Sequence, residues 1–340
     1  MRAITSKEIH LKNRPEGLPA KSDFELAEVA LPAISEGQIL VQNIYMSVDP
    51  YMRGRMYDRK SYIPPFQIGQ PLEGGCVGRV IESKNEGFNV GDYALSMLGW
   101  REFFVSGGDG LTKVDPGLAP LQAYLGAAGM TGMTAYVGLL HIGELKEGQT
   151  VFVSAAAGAV GSIVCQIAKL KGCYVVGSAG SDEKVAWLVQ EAGIDAAFNY
   201  KTTDDVIAEV GRHFPKGIDV YFENVGGVHL EAALEHMNPG GHIVMCGMIS
   251  MYNAVSPVPG PVRMPFIIQK KLTVKGFIVM DHLDKFNLFI ADMGKWAAEG
   301  KIKWKETIVD GIENAPEAFI GLFKGANFGK MIVKVGPGPS

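Results

Sequence analysis

The stretch Thr150–Lys171, TVFVSAAAGAVGSIVCQIAKLK, decides the fold. Val151, Phe152 and Val153 form a short apolar, partly β-branched run suited to a buried parallel strand. The run breaks into the small residues Ala155-Ala156-Ala157-Gly158-Ala159-Val160-Gly161. Beyond them Val160, Ile163, Val164, Ile167 and Leu170 recur at helical spacing, with Gly172 as a stop. Strand, small-residue turn and helix in this order frame a dinucleotide fingerprint. It reads A-x-G-x-x-G, with Ala156 where the first glycine is usual. Gly158 lets backbone approach a pyrophosphate, and Gly161 lets helix pack on strand. The helix start at Ala159-Val160-Gly161 offers free N–H groups to the anion.

Downstream, strands and helices alternate as in a doubly wound parallel sheet. Strands are expected at Tyr174–Ala179, Ala197–Tyr200, Ile218–Val225, His242–Gly247 and Leu272–Val279. Between them lie helices over 182–192, with Ser181 as N-cap, and over 204–214 and 229–237. Asn238-Pro239-Gly240-Gly241 reads as a turn, residues 256–265 as a proline-rich loop, and Leu125–Leu140 as a small-residue helix. The segment 284–300 is an amphipathic helix with Phe286, Phe289, Ile290, Met293 and Trp296 on one face. Upstream, the first ~120 residues are β-rich and dense in glycine and proline, as a barrel-like domain would be. Strands are expected over 38–48 and 78–82, a loop over 49–56, and a turn at Asn89–Asp92 that makes Asp92 a turn residue. Short strands over 306–309 and 330–335 and a helix over 316–324 suggest a return to that domain. The expected domains are 1–124, 125–300 and 301–340, the last completing the first.

A chain of 340 residues with 47% hydrophobic content supports two domains, and a formal charge of −4 argues against nucleic-acid or membrane-surface binding. The polar start and the lack of a long apolar run argue against secretion and membrane spanning. Four scattered cysteines, without C-x-x-C spacing, suit a cytoplasmic protein with buried free thiols.

An NAD enzyme would place Asp or Glu at the end of the second strand, on the ribose 2′-OH. Here stand Ser178-Ala179-Gly180-Ser181, with Lys184 one helical turn on, which suits the 2′-phosphate of NADP. A zinc-dependent alcohol dehydrogenase needs converging Cys, His and carboxylate ligands. This chain has Ser47-Val48-Asp49-Pro50 and Pro71-Leu72-Glu73 at the corresponding places, so no metal is expected. His229 and His236 share a helix face and read as surface residues. Without metal-bound water, tyrosine is the leading acid/base candidate.

Residues 47–56, 155–162, 166–173, 180–184, 198–201, 223–227, 246–253 and 325–330 together carry a resemblance that covers essentially the whole chain. The sequence resembles the zinc-independent medium-chain dehydrogenase/reductases, in the NADPH-dependent alkenal/one oxidoreductase branch. The resemblance implies an α/β fold, a Rossmann sheet inserted in a β-rich GroES-like catalytic domain. It implies that Lys184 and Tyr200 grip the 2′-phosphate, with Ser181 beside them, and that Asn224 contacts cofactor ribose or phosphate. Cys246, Gly247, Ile249, Ser250, Tyr252, Phe277 and Val279 would flank the nicotinamide half, and Asn327 would reach the cofactor from the returning tail. It also implies a homodimer paired through the sixth strand.

The expected reaction is NADPH-dependent reduction of the α,β double bond of an enal or enone. Tyr252 is the first choice to assist the enolate, either donating the proton or orienting the network. Tyr51 is the second choice and should line the substrate pocket, with Met52, Met56, Tyr57 and Met264 around its mouth. The alternatives are a zinc-independent NADPH:quinone oxidoreductase and, more remotely, a non-catalytic NADPH-binding regulatory protein.

Overall fold

The computed structural model describes residues 4–338. They divide into two units, one comprising the chain up to Gly126, Glu306–Asn327 and the segment from Met331 on, the other Ala127–Lys305 with Phe328–Lys330.

The first unit opens with the antiparallel pair β1 (Thr5–Leu11) and β2 (Phe24–Ala30). The β-branched run β3 (Ile39–Ser47) follows and is buried along nearly its whole length. Residues 49–56, expected as a loop, contain one helical turn, α1 (Met52–Arg55), started by bonds to the Asp49 and Pro50 carbonyls. Then come β4 (Cys76–Ser83), β5 (Tyr93–Ser96), β6 (Phe103–Ser106) and β7 (Thr112–Val114). Asp92 sits in the expected turn, accepting from the Asn89 N–H at 2.8 Å and pairing with Lys113 at 2.6 Å.

The second unit begins with α2 (Met130–Val137), which continues into a π-helical turn over Gly138–Ile142. A Cβ on Gly138 would stand 2.7 Å from both Phe222 and Phe277, so bare backbone is needed where the helix crosses these rings. The single helix expected over Leu125–Leu140 is therefore a composite. Strand and helix then alternate through β8 (Thr150–Val153), α3 (Gly161–Leu170), β9 (Tyr174–Ala179) and α4 (Asp182–Gln190). They continue through β10 (Ala196–Asn199), α5 (Val206–His213), β11 (Ile218–Glu223) and α6 (Gly227–His236). The unit ends with β12 (Met237–Met245), α7 (Pro265–Gln269), β13 (Thr273–Gly276) and α8 (Phe286–Ala298).

The six strands form a parallel sheet in the order β10-β9-β8-β11-β12-β13. The chain winds outward from β8 to one side and then from β11 to the other, so the topological switch point lies between their carboxyl ends. Three expectations are corrected. The strand placed at His242–Gly247 starts at Met237, and Asn238–Gly241 is absorbed as a bulge between the pairs Ile218↔Met237 and Val220↔His242. The proline-rich loop runs directly into α7, which the sequence pattern did not reveal. On α8, Phe289 and Met293 are buried, but Phe286 and Ile290 are 40% and 38% exposed, so the five-residue stripe is only partly a core face.

The chain then forms β14 (Glu306–Asp310), α9 (Ala315–Leu322) and β15 (Lys330–Lys334). β15 lies antiparallel to β3, giving the first unit a sheet in the order β14-β15-β3-β4-β5-β7, with β6 also on β3.

Candidate active site

The nucleotide turn begins where β8 ends at the switch point. Its left-handed residue is Ala155, at φ +47°, and neither fingerprint glycine adopts that conformation. A Cβ on Gly161 would stand 2.4 Å from the Ala155 carbonyl oxygen and 2.9 Å from Ala156 Cα, so α3 packs on the turn through bare backbone. Ala156, in the place of the usual first glycine, is fully buried and has its amide on the Ser178 carbonyl at 2.9 Å. Its methyl faces Gly177 of β9, where a Cβ would come within 2.5 Å of it. The glycine missing from the turn is thus found on the neighbouring strand. From Ser162 on the amides bond back along the helix: Ser162 to Gly158 at 3.0 Å, and Ile163 and Val164 to Val160 at 3.1 and 3.0 Å. Ala159, Val160 and Gly161 precede them and present the helix start. Gly329 donates to the Ala157 carbonyl at 2.9 Å and bridges Gly158, which seats Phe328–Lys330 against the turn. Asn327 immediately precedes this segment and belongs to the first unit.

At the end of β9, Ser181 caps α4, its Oγ accepting from the Lys184 amide at 3.4 Å. Asn199 Nδ2 donates to Asp182 Oδ1 at 2.8 Å, tying the end of β10 to the start of α4. This strut places Tyr200 and Lys201 over Gly180: a Cβ there would meet the Tyr200 hydroxyl at 3.2 Å and Lys201 Cε at 3.3 Å. Burial, and then the neighbouring Lys201 charge, push the Lys184 ammonium below its ordinary pKa, while burial pushes the Tyr200 phenol up. Two cations and a phenol thus meet where an NAD site would carry an acid, and together they could hold a 2′-phosphate. Lys201 joins the residues expected here, and its place beside Tyr200 is its only signal in the sequence.

His229 is a correction. Expected on the helix surface, it is 2% exposed, because α6 turns it inward. His236 is half-buried, with Nε2 on the Ile207 carbonyl at 2.9 Å.

At the carboxyl end of β11, Asn224 Nδ2 donates to the Ser154 carbonyl at 2.7 Å, and its amide donates to Ser154 Oγ at 2.9 Å. The preceding Glu223 is a further residue of this site that sequence spacing does not single out. Its carboxyl is fully buried, and its Oε1 accepts from Ser154 Oγ and from the Val225 and Gly226 amides. Burial holds this carboxyl above the usual carboxylate range, and the hydrogen bonds only partly offset it. Cys246 and Gly247 both donate their amides to the Glu223 carbonyl at 3.0 Å. Ile249 and Ser250 bond back to the Asn224 and Val225 carbonyls at 3.3 and 3.0 Å, and the Ser250 hydroxyl also donates to Val225. These contacts fold residues 246–252 onto the end of β11, and the Tyr252 hydroxyl lies 3.6 Å from where a Gly247 Cβ would stand. Phe277 packs against Gly138, and Val279 is buried.

Tyr51 belongs to the first unit and has a buried hydroxyl with no hydrogen-bond partner. Burial, then the Asp49 charge, drive its phenol well above the ordinary tyrosine range. The arginines around it are structural. Arg53 donates to the Pro15 and Gly17 carbonyls and to the Tyr57 hydroxyl, while Arg55 bonds Pro64 and, at 2.7 Å, Glu73. Met52 and Met56, expected around a pocket mouth, are fully buried core residues of this unit; Tyr57 is half-buried and Met264 exposed.

Residues 7–114 match the family described as N-terminal domain of oxidoreductase, and residues 159–294 the one described as zinc-binding dehydrogenase. Prostaglandin reductase 1 of Bos taurus is 47% identical over 97% of this chain and 99% of its own length. The NADPH-dependent curcumin reductase of Escherichia coli is 44% identical over 96% of this chain and 95% of its own. A crystal structure of CurA from Vibrio vulnificus in complex with NADPH superposes with a TM-score of 0.92 at 43% identity, covering 97% of this chain and 99% of that one. The chain belongs to the alkenal/one oxidoreductase branch of the medium-chain dehydrogenase/reductases.

The zinc in one family description does not fit the residues of this member. The Ser47 hydroxyl donates to Asp49, Glu73 carries the Arg55 guanidinium, and buried Cys76 bonds Ser96. No group of three His, Cys, Asp or Glu side chains suited to a metal ion occurs among the described residues. Nor, among them, is any helix long and apolar enough to cross a membrane.

Proposed function

We propose that this protein reduces the α,β carbon–carbon double bond of enals and enones with NADPH. The observation that carries the cofactor choice is the meeting of Lys201 and Tyr200 over Gly180, with Lys184 within electrostatic reach of Lys201, where a carboxylate would repel a 2′-phosphate. The substrate class follows from relatives that are reductases of prostaglandins and curcumin over nearly their whole length. NADPH, when bound, supplies the hydride that goes to the β-carbon; the α-carbon takes a proton, giving a saturated carbonyl and NADP⁺.

The chain's own part is to hold the cofactor and stabilise the enolate. The amides of Ala159, Val160 and Gly161 take the pyrophosphate, with Ala156 and Gly158 leaving room for its approach. Ser181, Lys184, Tyr200 and Lys201 take the 2′-phosphate. Asn224, fixed by Ser154, and residues Cys246, Gly247, Ile249, Ser250, Phe277 and Val279 line the nicotinamide half, with Asn327 completing the hold. The Tyr252 hydroxyl donates a hydrogen bond to the developing enolate oxygen, a role in which a phenol is worth most in a site that excludes water. Tyr51 carries a buried hydroxyl still able to donate, and binds the substrate carbonyl end. No metal takes part. The four free cysteines suit the cytoplasm. The exposed edge strand β13 suits a homodimer built by strand pairing across a two-fold axis, which light scattering at twice 36.6 kDa would register.

The decisive assay is NADPH oxidation with 2-alkenals, 15-oxo-prostaglandins, curcumin and quinones, with product analysis. The expected product is the saturated carbonyl; an allylic alcohol, or turnover of quinones alone, overturns the reading. Tyr252→Phe should lower turnover by about 10²-fold with little change in NADPH affinity.

A further inference from the structure

Beneath the Lys184–Tyr200–Lys201 group lies a side chain that the proposed reaction does not use. α6 starts after two consecutive left-handed glycines, Gly226 at φ +78° and Gly227 at φ +55°. This abrupt start turns His229, in the first turn of the helix, into the interior. There its Nε2 has no hydrogen-bond partner, and its ring meets Tyr200 edge-on at 5.1 Å between centroids and 80° between planes. Burial alone depresses the imidazole to about 4, so at neutral pH it is uncharged and adds no third cation beneath the two lysines. A buried neutral ring in edge-to-face contact restrains the partner ring's rotation as well as its position.

The Tyr200 amide sits on the Ala179 carbonyl at 3.1 Å, its ring also packs on the core that includes Phe198 and Leu230, and its hydroxyl projects over Gly180. A phenol that must grip a phosphate oxygen binds more tightly when its rotamer is fixed in advance, because less freedom is lost on binding. We propose that His229 is a positioning residue for the 2′-phosphate: its ring holds the Tyr200 hydroxyl beside Lys201 and thereby sets the preference for NADPH over NADH. The inference rests on the NADPH reading above. It assigns His229 no contact with the cofactor and no part in hydride or proton transfer.

The test is titration of the full chain with NADPH and with NADH, followed by nicotinamide fluorescence, for wild type, His229→Ala and His229→Phe. His229→Ala should lose NADPH affinity by about threefold to tenfold, the scale of one lost aromatic pair. NADH affinity and kcat at saturating NADPH should stay as in wild type. His229→Phe, which keeps a ring, should retain the wild-type preference. Equal losses for both cofactors, an unchanged preference in His229→Ala, or a preference lost in His229→Phe as well would each overturn the proposal. If His229→Ala does not fold, His229→Leu fills the volume without a ring and carries the same outcomes. A wild-type chain with no preference for NADPH would overturn the cofactor reading itself, which keeps the two failures apart.

Discussion

Two strand-to-helix turns in this protein do opposite things with their side chains. After β8, the turn from Ala155 to Gly161 is methyl groups and bare backbone; what it offers a ligand is amides, and it leaves no room for more, since a Cβ on Gly161 would stand 2.4 Å from the Ala155 carbonyl oxygen. After β3, the turn from Asp49 to Arg55 is crowded with functional groups, most of them consumed internally: Asp49 by Ser47, Arg53 by two carbonyls and Tyr57, Arg55 by Pro64 and Glu73. The Tyr51 hydroxyl is buried without a partner. A turn that serves an invariant ligand such as pyrophosphate is built from what every chain possesses. Under the proposed function, the second turn would serve a particular substrate with a side chain, while most of its other side chains are spent on hydrogen bonds within its own unit.

That contrast can be broken at either turn. The larger effect is expected after β8. Gly177→Ala would drive a methyl to 2.5 Å from that of Ala156 and should destabilise the protein by about 1–3 kcal/mol, read as a lower denaturation midpoint. Ala156→Gly in the same chain should recover most of the loss. Were Gly177→Ala harmless, the steric account of the fingerprint alanine would fail. After β3 the sign is reversed. Tyr51→Phe removes a hydroxyl without a partner, so stability should hold or rise by up to about 1 kcal/mol while kcat/KM for an enone falls. Destabilisation by Tyr51→Phe would show that the hydroxyl serves the fold.

The same contrast explains what the sequence could disclose. β8, β9 and α3 were readable because apolar periodicity and small residues report directly on backbone packing. The N-cap at Ser181 was readable because capping is a local event. Gly177 was not, since a mid-strand glycine looks like a weakness until the methyl opposite it is known. His229 was misplaced because helical spacing groups residues on a face without saying which way the face points; two left-handed glycines decided that. Glu223 was passed over because its partners come from β8 and from the next turn. Met52 and Met56 are open in sequence between pocket mouth and gap-filling core, because the tight turn α1, which buries them, has too few residues to show a period.

The cysteines give the fold a chemical consequence of its own. Cys76 and Cys165 are fully buried and Cys173 nearly so, while Cys246 sits near the Glu223 charge. Burial pushes the Cys76 thiol up to about 11, the Cys246 thiol up to about 12, and the other two above their ordinary value. Conjugated carbonyls alkylate thiolates, not thiols. Under the proposed function, conjugated carbonyls would therefore meet four sulfurs held as thiols, the form that does not react with them.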